Sequence, residues 1–415
     1  MTQDAQKVLS ARTADTILGN KEAWTRRMFE LAASMRKDGK PVYDLSLGNP
    51  SLEPPAIWRE AIAGLLEDEP TGMHRYMTNA GYPEVRAFIA QRESARYQVE
   101  FEPEDVTMTV GAAGGLNVLF RAMIDPDDEI IVPAPYFSEY DHYCANANAK
   151  LVPTPSGDDF ALDADSIARA LTEKTRLVLL NSPNNPTGAI YADADMQALA
   201  KVLAEHEAKT GRPVFVVEDS PYRDLVHDGS EVPSMLKHHP NTVFLTSHSK
   251  DLGLAGERIG YMLISPSALG REYLRRATSF ANRILGFVNA PALMQRALPL
   301  VLGRPEGRVD VSVYARHCNR MSEGLAALGF HLPPTRAGFF LFPRLPEPLA
   351  SSLAAEDPEG RSPDIVLTDR LREARCVIVP GTAFGVPGHL RLSMCVDDAT
   401  VDGALAAFQS VCGPA

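Results

Sequence analysis

From about residue 50 to 290 the chain alternates short apolar runs with stretches of helical periodicity. The runs are VTMTV (106–110), EIIVP (129–133), RLVLLNS (176–182), PVFVVED (213–219), TVFLTS (242–247) and IGYMLIS (259–265). Helical patterns separate several of them, as at 192–209. Continuously apolar strands belong to sheets covered on both faces, so the pattern predicts an α/β unit on a mostly parallel sheet. In such sheets chemistry gathers at the carboxyl ends of the strands. Near the N-terminus Trp24, Met28, Leu31 and Met35 share one stripe of an amphipathic helix. Beyond about residue 295 a helix-like segment is followed by GFHLPP, AGFFLFPRL, a polar stretch around 351–364, then CVIVPG and HLRLSM. This texture predicts a smaller α+β unit, with AAEDPEGRSPD as a surface loop. The expected division is a large domain over 50–290 and a small domain made of 1–49 and 291–415.

Composition narrows the classes. A chain of 415 residues that is 45% apolar can bury a sizeable core in two or three units. Ordinary Gly and Pro usage excludes collagen-like and low-complexity readings. The formal charge of −12 argues against nucleic acid or an anionic membrane as the main partner. No apolar stretch approaches the roughly 20 residues a spanning helix needs. The opening MTQDAQKVLSARTADTILGN lacks a signal-peptide core, so a soluble, cytoplasmic chain is expected. Five scattered cysteines without a CxxC pair exclude a zinc ribbon or dithiol motif, and no metal site is expected.

Four motifs carry candidate chemistry, each where a strand ends. In SHSKDLGLAGERIGY (247–261), Lys250 follows a strand in a turn, and Arg258 precedes the next strand. A lysine that forms a Schiff base needs a fixed, partly desolvated position. The Ser247 hydroxyl and the Arg258 guanidinium suit a phosphate dianion. In NSPNNPTG (181–188), two prolines and a glycine fix a turn that aims Asn185, although NPxG alone is a common turn. In VVEDSPYRDL (216–225), a strand ends at Asp219 and Tyr222 follows. Glu218 should point the other way along the pleat. A helix N-cap is one role open to Asp219. In VTMTVGAAGGLNVLF (106–120), a strand meets a Gly-rich turn and a helix. Exposed amides at a helix start bind phosphate through hydrogen bonds and the helix dipole. The spacing is not the GxGxxG of a nicotinamide site.

In the order and spacing of these motifs the chain resembles the fold-type I aminotransferases, the class I/II aspartate aminotransferase superfamily, from about residue 40 to 395. The resemblance implies a large cofactor domain with a seven-stranded-type sheet, a smaller α+β domain, and pyridoxal 5′-phosphate as cofactor. It implies that Lys250 holds the cofactor as a Schiff base and that Lys250, Asp219 and Tyr222 are catalytic. Arg258, Ser247 and the Gly111, Ala112 and Ala113 amides would hold the phosphate. A side-chain hydroxyl sometimes present in the last turn is absent here, so binding would rest on amides. Asn185 and Tyr222 would face the phenolic oxygen, Asp219 the pyridine nitrogen. Phe137 would stack on the ring, with Tyr136 the neighbouring possibility. Gly48, Asn185 and Arg391 would bind substrate, Arg391 by a guanidinium fork on the α-carboxylate. Tyr76 would reach the phosphate of a second subunit, which implies a homodimer with shared sites, and Asn289 resembles another inter-subunit residue. The substrates implied are an α-amino acid and a 2-oxo acid.

The same scaffold hosts elimination, replacement and cyclisation, so reaction type stays open at this level. Two readings of other classes are a non-catalytic regulatory domain and a nicotinamide-dependent enzyme. The substrate side chain is unspecified. Arg283 is a candidate for a second carboxylate but equally a surface residue, and Phe339 and Phe340 suit either a pocket or the core.

Overall fold

Seven strands make the central sheet of the larger unit. Six are the apolar runs: β1 (Val106–Thr109), β2 (Glu129–Ala134), β4 (Thr175–Asn181), β5 (Phe215–Asp219), β6 (Thr242–Ser247) and β7 (Gly260–Ile264). The seventh, β3 (Lys150–Pro155), sits at an edge, and the sheet order is β1-β7-β6-β5-β4-β2-β3. All ladders are parallel except the two made by β7. The α/β class with a mostly parallel sheet is therefore as expected.

The computed structural model describes residues 7–18, 24–68 and 71–413. The strand pleat sorts apolar residues into two layers. On β4, Leu177 and Leu179 pack in one cluster with Leu116, Leu119 and Phe120 of the helix Gly111–Met123. Val178 and Leu180 turn the other way, onto Met196, Leu199 and Leu203 of the helix Asp193–Thr210. Each such side chain contributes roughly 1.5–3 kcal/mol by leaving water. Helices on both faces explain why these strands read as unbroken apolar runs.

A third cluster moves the expected boundary. Met294, Ala297, Leu298 and Val301 of the helix Ala292–Leu302 pack on Ile57, Trp58 and Ala61, and on Val85 and Ile89. Residues up to Asn319, and Pro333–Phe340, group with the larger unit, not with a small domain starting at 291.

The smaller unit comprises the described residues up to Gly48, Arg320–Leu332 and those from Leu341 on. Its N-terminal helix Trp24–Met35 buries Met28 and Ala32. Tyr43–Asp44 pairs in parallel with Cys376–Val377, and Val379–Pro380 pairs antiparallel with Leu390–Ser393. The expected loop at 351–364 is only partly one, because the helix Glu347–Glu356 runs into it and Pro363 opens the next helix. Asp364, in that polar stretch, is wholly buried and accepts from the amides of Thr382 (2.8 Å) and Gly388 (3.2 Å). A polar side chain is drawn inside there because loop amides need an acceptor. Among the described residues, no helix is long and apolar enough to cross a membrane.

Candidate active site

The carboxyl ends of β4, β5 and β6 are stitched by side chains. Asn181 donates to the carbonyl of Asp219 (2.7 Å) and accepts from the Asn185 amide (2.6 Å). Ser220, just past β5, receives a hydrogen bond at its carbonyl from the Thr246 hydroxyl (3.0 Å) and donates its hydroxyl to the Ser182 carbonyl. Asn185, Asp219 and the turn after β6 are thereby held together. Asn185 is buried, its direction set by the turn through Pro186 and by the Asn181 contact.

Lys250 lies in a single helical turn, His248–Asp251, capped by Ser247, whose hydroxyl accepts from the Ser249 amide. Accepting that bond leaves the hydroxyl proton to donate elsewhere. The ammonium of Lys250 stands 5.7 Å from the centre of the Phe339 ring. Gly260 receives this excursion on β7. A Cβ there would sit 2.4 Å from the Thr246 carbonyl oxygen, so only glycine lets the two strands approach.

Asp219 is buried at the end of β5. One carboxylate oxygen, Oδ2, accepts from the hydroxyl of Tyr140 (2.7 Å), while Oδ1 is buried with no hydrogen-bond partner. Burial pushes the carboxyl up to about 6, against the opposing Tyr140 hydrogen bond. An N-cap role is not what this geometry shows. Glu218 points to the other face, accepting from the Ser234 hydroxyl and the Met235 amide. Tyr222 is buried, with its ring edge-on to Phe339 and Phe340 at 5.6 and 5.9 Å. Phe339 and Phe340 are thus buried core rings that pack on Tyr222, and Phe339 also lies against Lys250.

Gly111 opens the helix Gly111–Met123 in a left-handed conformation, φ 67°. A Cβ on it would lie 2.6 Å from Nη2 of Arg258. The amides of Gly111, Ala112 and Ala113 at a helix start therefore stand beside a guanidinium that also contacts the Ser249 hydroxyl (3.4 Å) and the Ala255 carbonyl (3.0 Å). Helix start and guanidinium favour an anion in the same place.

Phe137 is half-buried and meets Tyr140 edge-on at 5.5 Å, which places it one ring from Asp219. Tyr136 is buried, its hydroxyl turned to Asp141. Tyr76 is 89% exposed and rims a shallow cavity of about 190 Å³ with Phe287, Val288 and Asn289. Asn289 donates to the carbonyl of Thr78 (2.7 Å) in its own chain. Arg283 is exposed and lies over Phe280. In the smaller unit Arg391 is 1% exposed, donates to the Ser46 carbonyl and lies 4.8 Å from the Phe384 ring centre. Gly48 ends that unit's first segment. Sequence reasoning missed Tyr140 and Ser249. The SxSK spacing itself was the signal for Ser249. Nothing local marks Tyr140, which lies 79 positions from Asp219.

The sheet thus brings together, at its strand ends, a turn-borne lysine, a buried carboxylate and a helix start beside an arginine. Residues 40–408 match the family described as Aminotransferase class I and II, and the chain belongs to that family of transferases. It is 29% identical to the aspartate/prephenate aminotransferase of Thermus thermophilus, over 92% of this chain and 94% of that protein. It is 26% identical to the aspartate aminotransferase of Pyrococcus horikoshii, with 92% of each covered. The structure of an amino transferase from Eubacterium rectale superposes with a TM-score of 0.88 at 33% identity, covering 97% of this chain and 98% of that one. The Thermus thermophilus aspartate aminotransferase with maleate gives 0.82 at 28%, covering 94% and 96%.

Proposed function

We infer that this aminotransferase works with pyridoxal 5′-phosphate joined to Lys250, and moves the amino group of an α-amino acid to a 2-oxo acid. The observation that carries this reading is the orphaned Oδ1 of Asp219. A buried carboxylate oxygen without a donor marks a place for a cationic N–H. The pyridinium nitrogen of this cofactor is such a donor. The phosphate fits as well. The Gly111, Ala112 and Ala113 amides, Arg258, Ser247 and Ser249 form a cradle that a Cβ at 111 would fill.

When bound, the cofactor acts as an electron sink for the bond broken at the substrate α-carbon. The chain's own residues do the rest. Asp219 keeps the ring nitrogen protonated through Oδ1, with Tyr140 fixing Oδ2. Asn185 and Tyr222 would hold the cofactor at its phenolic oxygen, and Phe137 would pack against its ring. Lys250 Nζ, freed once the substrate amine takes its place on the cofactor, would take the α-proton and pass it on, a positioned base worth roughly 10²–10⁴ in rate. Arg391 and Gly48 would take the substrate α-carboxylate. The exposed Tyr76 supports a homodimer in which it reaches the second subunit's phosphate. A cytoplasmic location fits the same reading.

Relatives named for aspartate make an acidic amino acid the first donor to try. The test is a single turnover with donor and no 2-oxo acid added. One 2-oxo acid per site and no ammonia is expected. Repeated turnover releasing ammonia or a side-chain fragment would assign a lyase or replacement enzyme instead.

A further inference from the structure

Directly after Tyr222 the chain turns Arg223 into a cage that the chemistry above does not use. The guanidinium is wholly buried and paired twice with Glu93 of the helix Pro83–Tyr97, Nη1 to Oε2 at 2.8 Å and Nη2 to Oε1 at 3.0 Å. Nη1 also donates to the Tyr97 hydroxyl (2.8 Å), and Nη2 to the Tyr261 hydroxyl on β7. The Tyr261 hydroxyl in turn donates to Glu93 Oε1 (2.8 Å), so the ring of hydrogen bonds closes. The Phe244 ring on β6 covers the cation at 4.7 Å. Around this pair stand Arg92, 2.7 Å from Glu93, and the Arg96–Asp224 pair at 2.6 Å.

The same Tyr261 looks the other way at the lysine turn. Its ring lies 5.8 Å from that of His248, whose Nδ1 is 2.9 Å from Asp251 Oδ2. His248 and Asp251 are the two ends of the helical turn that carries Lys250. The cage therefore touches both segments whose relative placement matters: the turn bearing Tyr222 and the turn bearing Lys250.

A buried ion pair is a poor device for stability alone, since apolar replacements of like volume are often neutral or better. It is an effective device for direction, because a guanidinium fork accepts one geometry. Residues 221–224 form a turn outside the ladder, closed by the Leu225 amide on the Tyr222 carbonyl, and the Arg223 side chain adds an anchor of fixed direction. We propose that Arg223 is a positioning residue, whose caged guanidinium fixes the Tyr222 hydroxyl against the Lys250 turn through Glu93, Tyr261 and His248. This rests on the reading that Tyr222 and Lys250 serve the cofactor.

The test compares holoenzyme of the Glu93→Leu/Arg223→Met double variant, Arg223→Lys, Tyr222→Phe and the parent. The readouts are melting of the full chain, the pH midpoint of the bound cofactor's visible absorbance, kcat and KM. A donor hydrogen bond to the phenolic oxygen favours the deprotonated form nearby, so Tyr222→Phe should raise the midpoint, by about one pH unit. The double variant should melt close to the parent, yet shift the midpoint in the same direction and lower kcat by roughly tenfold to a hundredfold, with KM changed less. Arg223→Lys should give a smaller shift of the same sign, and it decides the matter should the double variant fail to fold. Parent-like midpoint and kcat in the Arg223 variants, with Tyr222→Phe shifted, would overturn the positioning role alone. An unshifted Tyr222→Phe would remove Tyr222 from the cofactor oxygen, and the inference would fall with it.

Discussion

Glu93 and Asp219 are both buried carboxylates of the larger unit, and they are treated in opposite ways. Burial pushes Glu93 up, but the adjacent Arg223 guanidinium outweighs it and holds the carboxyl at about 2. Its oxygens are shared among Arg223, Arg92 and Tyr261. Asp219 has one neutral donor and an orphaned oxygen, and burial leaves it raised to about 6. A carboxylate whose charge is already matched belongs to the scaffold. One that is desolvated and half-satisfied is held ready for a cation from outside the chain. The contrast separates architecture from chemistry without reference to any ligand.

Substitutions can break that contrast, starting with the largest effect. Lys250→Ala and Asp219→Asn should each lower turnover by about 10²–10⁴ or more while melting stays near the parent value. Borohydride reduction of the holoenzyme should label Lys250, and a label on another lysine would redirect the assignment. Glu93→Ala should act first on stability, with turnover lowered about as far as in the Glu93→Leu/Arg223→Met chain. Leaving Arg223 buried without its partner costs about 3–5 kcal/mol, readable by denaturant unfolding. An Asp219→Asn chain destabilised as much as Glu93→Ala would erase the distinction.

Arg391→Lys keeps a cation but loses the fork. The loss of a charge-assisted bond, about 1.5–3 kcal/mol, should lower kcat/KM by roughly tenfold to a few hundredfold, with cofactor affinity unchanged. Unchanged kinetics with α-amino acids would take Arg391 out of substrate binding. The smallest effect concerns Glu218, which burial pushes up to about 7. A carboxyl raised in the folded chain contributes stability that is present below its unfolded value and lost as pH rises through its folded one. Glu218→Gln should therefore gain on the parent in melting temperature between pH 5 and pH 8, by about a few degrees or less. A gap that stays constant with pH would show that Glu218 does not titrate there.

Strands and strand-end chemistry were legible because they are local. Burial on both faces leaves an apolar run; Asp219 ends one, and Asn185 and Lys250 each come three residues after one. The resemblance extended this to the family, which the comparisons bear out. What stayed hidden depends on residues far apart in the chain. Tyr140 reaches Asp219 across 79 positions, and Arg223 reaches Glu93 across 130. Asp364 read as surface because its acceptor role is set by loop amides 18 and 24 residues on. The segment 291–319 read as the start of a second domain. Its periodicity shows an apolar stripe but not which helices the stripe covers. The strand β3 is not among the continuous apolar runs, and its Pro153 and Pro155 suit the edge position it occupies.

Those two prolines have a consequence for how this protein behaves in a crowded solution. Lys150 donates its amide inward, to Asp128, so alternation turns the backbone of positions 151, 153 and 155 outward. Two of these three positions lack an N–H altogether. A foreign strand laid along this border would find carbonyls with hardly a donor between them, and could not extend the sheet. The outer border is thus sealed against templated growth by its own covalent chemistry, before folding partners or chaperones have any say.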